Sequence, residues 1–386
     1  MWPFSSKRVA PRRVVVIDIG TDSVGCAVSS LVEKQSPQML YSVRVPLVLA
    51  NEPRTADRLL ERVRTAARQA FDRTAFFTHR HAADIPVSHL RIILSAPWSS
   101  LYVRNLRFTS PEAARADKAL FNQLTAGYVK RQRPDADETI IERSIADVRL
   151  DGSQVLDLPR RAAANRVELT ALTSGAYTPL IHSVRDEAQR SFGIRPEFSF
   201  RNADAIYSRV LSAVQPSRND FVLCNVGGEV TSLLTVRDHT PVGIVTMPRG
   251  SHLPLRTLMA QHQFSRDEAQ AALALSLDDD APLCDKMHAA LHHSDDTYAK
   301  DFSASFTRIA PLTGSTPTLY TLGDSAGSRW SSQRIAQTPM FKSRYPLGLR
   351  SEHIDNAWLS QRNAVSRHPR CVPDARLELA ALEMSG

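Results

Sequence analysis

Apolar residues run unbroken from Val14 to Ile17, give way at Asp18, and return from Val24 to Val28. Between them lies Asp18-Ile19-Gly20-Thr21-Asp22-Ser23, polar and glycine-bearing. The pattern predicts a buried strand, a tight turn and a second buried strand. Gly20 lets the backbone turn sharply, and Thr21 and Ser23 add hydroxyls. In the second half of the chain, Phe221-Val222-Leu223-Cys224-Asn225-Val226-Gly227-Gly228-Glu229-Val230-Thr231 followed by Ser232 to Val236 repeats the layout. The chain therefore reads as two halves built on one plan.

Such turns present backbone N–H groups and hydroxyls to one concavity, which suits phosphate oxygens. Asp18 repels a bare phosphate. Its position makes sense with a divalent cation and its waters between the two. A strand–turn–strand is neither a P-loop nor a dinucleotide fingerprint. The competing reading is a hairpin whose Asp and Gly serve the turn alone.

Elsewhere the pattern predicts strands within 14–50, a helix over 52–78 and strand over 88–109. Pro111 after Ser110 signals a helix start, running to about Arg131. Residues 139–173 alternate as strands, with Asp151-Gly152 as a hairpin turn. A helix follows over 175–192, and another spans Ala203–Val214. Residues 254–310 read as helical, interrupted by Asp278-Asp279-Asp280-Ala281-Pro282, a solvated loop rather than a cation site. Residues 311–325 return to strand and loop. Helices follow from Arg329 and over Ala375–Met384.

Composition narrows the class. At 386 residues the chain is long enough for two lobes, and 42% apolar content places it among globular proteins. Cys26, Cys224, Cys284 and Cys371 form no CxxC, so a zinc site is excluded and a reducing compartment fits. No apolar run approaches a bilayer span. The formal charge of +8 is partly local: Arg54, Arg58, Arg62, Arg64, Arg68 and Arg73 share a helix with an apolar face, the solvated side of a core helix. A second basic stretch, from Arg329 to Arg370, suits an anionic membrane or an acidic partner. No stacking aromatics at regular spacing accompany it, so no nucleic-acid role is expected. His79 and His81, and His292 and His293, lack zinc spacing and read as loop or surface residues.

The two glycine turns resemble the phosphate-1 and phosphate-2 loops of the actin-like ATPase superfamily. The finer resemblance is to its FtsA and PilM branch. His89 to Trp98, Asp147 to Gly152 and Arg166 to Leu172 look like that branch's inserted subdomain of the SHS2 type. Met247 to His252 and Phe264 to Ala269 resemble its entry into a helical subdomain, and Leu319 to Ser325 sits where the adenosine-side loop belongs. The resemblance covers nearly the whole chain in order. Three positions depart from it. Asn225 stands where the branch usually has Asp, Glu229 where it has a small residue, and Asp324 where it has a second glycine.

The resemblance implies an α/β, actin-like (ribonuclease H-like), two-lobed fold. Its parts are a flexible arm over 1–13, a first lobe over 14–87, an inserted α+β subdomain over 88–192, a second lobe over 193–325 with helices at about 250–310, and a helical return over 326–386. It implies ATP between the lobes with Mg²⁺ held by Asp18. Gly20, Thr21, Asp22 and Ser23 would cradle phosphates from one side, and Asn225, Gly227, Gly228 and Thr231 from the other. Gly323 and Ser325 would flank the adenosine. Asn225 and Asp324 predict weak or absent hydrolysis, because an amide carries no charge and takes up no proton as a carboxylate does. The implied function is a cytoplasmic scaffold at the inner membrane. It would bind a tubulin-like division ring or a pilus inner-membrane protein and self-associate into filaments. A division role leads and pilus assembly is the alternative. A pseudo-ATPase interaction module or, less favoured, a metabolic kinase of the superfamily are the other readings. The last helix lacks the basic polar face of a membrane-bound amphipathic helix.

Overall fold

The computed structural model describes residues 12–32, 35–48, 55–81, 87, 89–129, 137–155, 162–193, 197–277, 284–309, 318–323, 325–338, 350–362, 364–369 and 371–385. The first apolar run forms β1 (Arg12–Ile19), which pairs antiparallel with β2 (Ser23–Leu31) across the predicted turn. β3 (Gln38–Pro46) continues the sheet beyond β2. α1 (Ala56–His81) then crosses to β4 (His89–Leu94), which lies parallel to β1.

Here the chain leaves to build a separate unit from β5 (Ser99–Arg115), α2 (Lys118–Val129), β6 (Glu138–Leu150), β7 (Ser153–Gln154) and β8 (Ala163–Tyr177). α3 (Thr178–Phe192) brings it back to β9 (Glu197–Asn202), parallel to β4. α4 (Ala203–Val214) leads into β10 (Phe221–Val226), β11 (Thr231–Arg237) and β12 (Thr240–Met247). Next come α5 (His252–His262), α6 (Arg266–Leu275) and α7 (Asp285–Phe306). β13 (Thr318–Leu322), α8 (Ala326–Gln337) and β14 (Arg350–Ile354) complete the second sheet and its cover. The chain ends with α9 (Asn356–Ser360), β15 (Ser366–Arg367) and α10 (Ala375–Glu383).

The two main sheets repeat each other. The first runs β15-β3-β2-β1-β4-β9 and the second β12-β11-β10-β13-β14. Setting β15 aside, strand matches strand and parallel pairing matches parallel pairing. Asp18 and Asn225 therefore sit at equivalent strand ends, each before a glycine turn. The third sheet, β5-β8-β6-β7, belongs to the inserted unit. Its own small core gathers Ala116, Phe121, Val167 and Leu169.

Side-chain alternation stacks these sheets into layers. Val15, Ile17 and Ile19 of β1 face α1 and α3. Val14 and Val16 face the other way, onto a core shared with α4, α10, Phe221, Leu223 and Leu234. Val222, Cys224 and Leu233 point out of the second sheet into the helices α5 to α8. The order is helices, sheet, α4 with α10, sheet, helices. Both sheets are covered on two faces, so their central strands are apolar throughout. Among the described residues no helix is long and apolar enough to cross a membrane.

Several boundaries differ from the sequence reading. The helix expected at Pro111 begins at Lys118, where Asp117 Oδ1 accepts from the amides of Ala119 and Leu120. Pro111 lies in the edge strand β5, at an irregularity between Thr109 and Ala114, a position where a missing N–H is tolerated. The first lobe continues through β9, past the boundary expected near residue 193, because β4 takes β9 as its parallel neighbour. The 326–386 segment carries helices but also contributes β14 to one sheet and β15 to the other. Of the expected arm, Arg12 and Arg13 belong to β1, and the rest lies outside the described residues. His79 and His81 close α1, and His292 and His293 lie on α7, all exposed. The acidic segment Asp278 to Pro282 lies outside the described residues.

The layering makes a direct prediction for α1. Phe71 is fully buried against the first sheet, and Phe76 is 64% exposed. Phe71→Ala should cost about 3–5 kcal/mol, and Phe76→Ala should stay within about 0.5 kcal/mol of the parent. Urea unfolding of both variants checks the orientation of the helix.

Candidate functional site

Both glycine turns are tied down by their neighbours. In the first, Gly20 N donates to Ser23 O at 3.1 Å, Leu47 N to Asp22 O at 2.8 Å, and Ser95 N to Ile19 O at 3.0 Å. The Trp98 indole donates to Gly20 O at 3.0 Å. In the second, Gly227 N donates to Val230 O at 2.9 Å. The amides of Ser251 and His252 donate to Gly227 O and Gly228 O at 2.8 and 2.9 Å. Gly250 allows that close approach. A Cβ there would lie 2.6 Å from Gly228 O and overlap Gly227 O.

The turns also meet each other. Glu229 N donates to Thr21 Oγ1 at 2.9 Å. A Cβ on Gly227 would lie 3.0 Å from Thr21 Oγ1, and one on Gly228 would lie 2.8 Å from Thr21 O. The Thr21 hydroxyl, expected to face phosphate oxygens, instead accepts from the Glu229 amide. Thr231 is turned aside as well, its hydroxyl donating to Arg249 O at 2.8 Å.

Beside this contact lies a buried charge cluster. Asp18 is fully buried at the end of β1. Tyr207 of α4 donates to its Oδ1 at 3.1 Å, and Arg44 Nη1 lies 2.9 Å from its Oδ2, close but not aligned as a hydrogen bond. Arg44 also donates to both oxygens of Asp374, at 2.5 and 2.8 Å, and to Ser23 Oγ at 2.9 Å. Asp374 is in turn the N-cap of α10, accepting from Leu377 N at 3.0 Å. Two residues on, Arg376 donates to Asp22 Oδ1 at 3.3 Å and to Val226 O at 2.5 Å. Burial pushes the Asp22 carboxyl up, but the charges of Arg376, Arg44 and His252 win and hold it below the usual range. Asp374 is also held low: burial opposes it, and the charge and hydrogen bonds of Arg44 prevail. Burial, with Asp18 alongside, pushes the Tyr207 hydroxyl well up, so it stays a donor.

The departures from the family pattern have their own partners. Asn225 Nδ2 donates to Asp204 Oδ1 at 3.2 Å and to Ser95 Oγ at 3.3 Å. Asp204 also accepts from Ser232 at 2.7 Å, and burial raises its carboxyl despite these bonds. A carboxylate at 225 would face Asp204 directly, and like charges at that distance do not both ionise. Glu229 points away from the cleft into α5, bonded to Arg256 at 2.5 Å and His252 at 3.1 Å. Burial opposes its ionisation, yet those two partners hold it down to about 2. Gly323 has φ +152°, where a Cβ would lie 2.6 Å from Ser328 Cβ. Ser325 caps α8 by accepting from Ser328 N at 3.1 Å. Asp324 lies outside the described residues.

An open cleft of about 540 Å³ remains between the lobes. Asp22, Ser23 and Arg44 line one side; Leu255, Leu273 and the start of α8 line the other. Arg266 reaches across it to donate to Leu47 O at 2.7 Å. The structure thus brings together Asp18, Gly20, Thr21, Asp22, Ser23, Gly227 and Gly228, with Asn225 behind them and Ser325 on the far wall.

This arrangement does not fit Mg²⁺. The ion needs six oxygens at about 2.0–2.1 Å with room for its waters. Asp18 Oδ2 instead has a guanidinium beside it, and Ser23 Oγ is taken by the same group. Among the described residues no three His, Cys, Asp or Glu side chains gather as a metal site. Sequence reasoning singled out neither Arg44 and Arg376 nor Asp374, Tyr207 and Asp204. One signal was present: Asp374, Arg376 and Glu378 alternate with Ala375, Leu377 and Leu379. Ionisable residues in so apolar a helix are buried only when paired.

Two outcomes follow from the site. Thr21→Val keeps the shape but leaves the Glu229 amide unpaired, and should cost about 1–3 kcal/mol in urea unfolding, with Thr21→Ser close to the parent. The second concerns pH. The folded Glu229 carboxyl is held at about 2 against an ordinary 4.5, so its stabilisation is complete above 4.5 and is lost as pH falls toward 2. Asp22 and Asp374, also held low, act in the same direction. Thermal midpoints should fall across that window, and Glu229→Gln should flatten part of the fall.

No family model matches the sequence, and no curated protein matches it. Solved structures do. A chain of a PilM–PilN type IV pilus biogenesis complex is 14% identical, over 98% of this chain and 97% of that one, with a TM-score of 0.58. The ethanolamine utilization protein EutJ from Carboxydothermus hydrogenoformans is 11% identical over 98% and 91%, with a TM-score of 0.46. Component A of the Acidaminococcus fermentans (R)-2-hydroxyglutaryl-CoA dehydratase is 6% identical over 96% of each chain, with a TM-score of 0.41. With the duplicated sheets and facing glycine turns, the first of these likenesses establishes the architecture: the chain has the actin-like ATPase fold.

Proposed function

We propose that this chain is an actin-fold scaffold of the pilus-assembly kind, working on the cytoplasmic side of a membrane by protein contact rather than by nucleotide turnover. The observation that carries the reading is the direct hydrogen bond between the two glycine turns, Glu229 N to Thr21 Oγ1. An enzyme of this fold needs that space for the phosphates it cleaves. Asn225, tied to Asp204, supports the same reading, because it offers no charge and no proton acceptor at the position. A kinase role has the same difficulty.

The kind of partner is suggested by the PilM–PilN complex, whose chain matches this one along its full length. By that analogy the partner is a membrane protein of pilus assembly that presents a short segment to the scaffold. A division role, with a tubulin-like ring as partner, and assembly into filaments have no separate observation in their favour. α10 is packed in the layer between the lobes, so it is not the element that touches a membrane.

The test is a titration of the purified chain with synthetic cytoplasmic segments from its own organism, one set from pilus inner-membrane proteins and one from the tubulin-like division protein. Saturable micromolar binding of a pilus segment is the expected result. Binding confined to the division segment would overturn the pilus reading.

A further inference from the structure

We infer that Arg44 and Arg376 stand where an actin-like cleft would hold its metal and phosphates, and that Arg376 keeps the two lobes closed with no nucleotide bound. The inference rests on the actin-like reading of the cleft and deepens the proposed function by naming what the cleft excludes.

The geometry supports it step by step. Asp18 and Asp374 are buried, and Asp22 lines the cleft. Such a set needs cations, and here the protein supplies two of its own. Arg44 comes from β3 in the first lobe and grips Asp374 through two parallel hydrogen bonds. Arg376 comes from α10 and touches both lobes at once. One Nη donates to Asp22 in the first turn, and the other to Val226 O, the carbonyl just before Gly227. A guanidinium suits the task because it is planar, carries five donors and stays charged at any physiological pH.

Nucleotide entry would therefore have to break several contacts together. The phosphates would have to displace Arg376 from Asp22 and Val226 O, and separate Thr21 from Glu229 N. They would also approach the carboxylates of Asp18 and Asp22. A metal could offset that repulsion, but Arg44 lies beside Asp18 Oδ2. What the open cleft admits is a ligand without a metal-bound phosphate chain.

Thermal unfolding of the unmodified protein tests this without depending on any variant's folding. The midpoint should not move with ATP up to millimolar concentration, with Mg²⁺ or with EDTA. A dose-dependent rise with Mg²⁺-ATP would overturn the inference by showing a working metal site. An equal rise in EDTA would overturn it too, by showing the arginines to be phosphate receptors. Variants supply the positive arm. Arg376→Ala should lower the midpoint and enlarge the radius of gyration in solution scattering, and Arg376→Lys should recover part of each. An Arg376→Ala protein that folds with an unchanged radius would contradict the closure. The segment titration reads the scaffold role, whereas these measurements read the cleft, so either can fail alone.

Discussion

A buried charge must find its opposite, since water is not there to solvate it. In this protein that constraint converges on one nine-residue helix, α10. Asp374 is bonded to Arg44 of β3, Arg376 to Asp22 and to Val226 O, and Glu378 to Arg367 of β15 at 2.6 and 2.7 Å. Glu383 adds Arg91 of β4 and, at 3.1 Å, Arg209 of α4. Between these charges, Leu377, Leu379 and Ala380 join the core shared by both sheets. Removing the arginine from a fully buried carboxylate such as Glu378 costs about 3–5 kcal/mol, because that charge stays buried. The pairs fix the helix on the first sheet, and the Arg376 bond to Val226 O ties it to the second.

The spacing of the lobes decides what the cleft can do. In a fold made of two similar halves, the turns at the strand ends face each other, and whatever lies between them sets the angle of the lobes. Here the turns touch, and side chains of the protein fill the charged part of the gap. Asn225 fits the same logic. With Asp204 3.2 Å away, an amide at this place forms a hydrogen bond where a second carboxylate would repel. The amide ties the second sheet to α4. Glu229, which stands where the branch has a small residue, anchors α5 through Arg256 and His252.

Much of the fold was legible in the sequence, and for clear reasons. The turns at Gly20 and Gly227 announce themselves because central strands covered on both faces must be apolar, so polar breaks stand out. The span of α4, Ala203–Val214, and the hairpin at Asp151-Gly152 are local signals that nothing overrides. Pro111 misled because an edge strand with an irregularity tolerates proline as well as a helix start does. β9 was missed because its place depends on β4, far away in sequence. The cleft chemistry was the least legible part. Arg44 sits in an alternating strand between Val43 and Val45, where an arginine reads as a solvent-facing residue. Its partner Asp374 is 330 positions away. The sequence displays the cradle but not the side chains that fill it, because those arrive from other elements.

Amide hydrogen exchange at Glu229 reads directly whether the two turns are joined in the free protein. Closed lobes hold that N–H on Thr21 Oγ1 in a buried site, so its exchange should be slow without nucleotide and unchanged by Mg²⁺-ATP. Fast exchange in the free protein that slows when Mg²⁺-ATP is added would contradict the account.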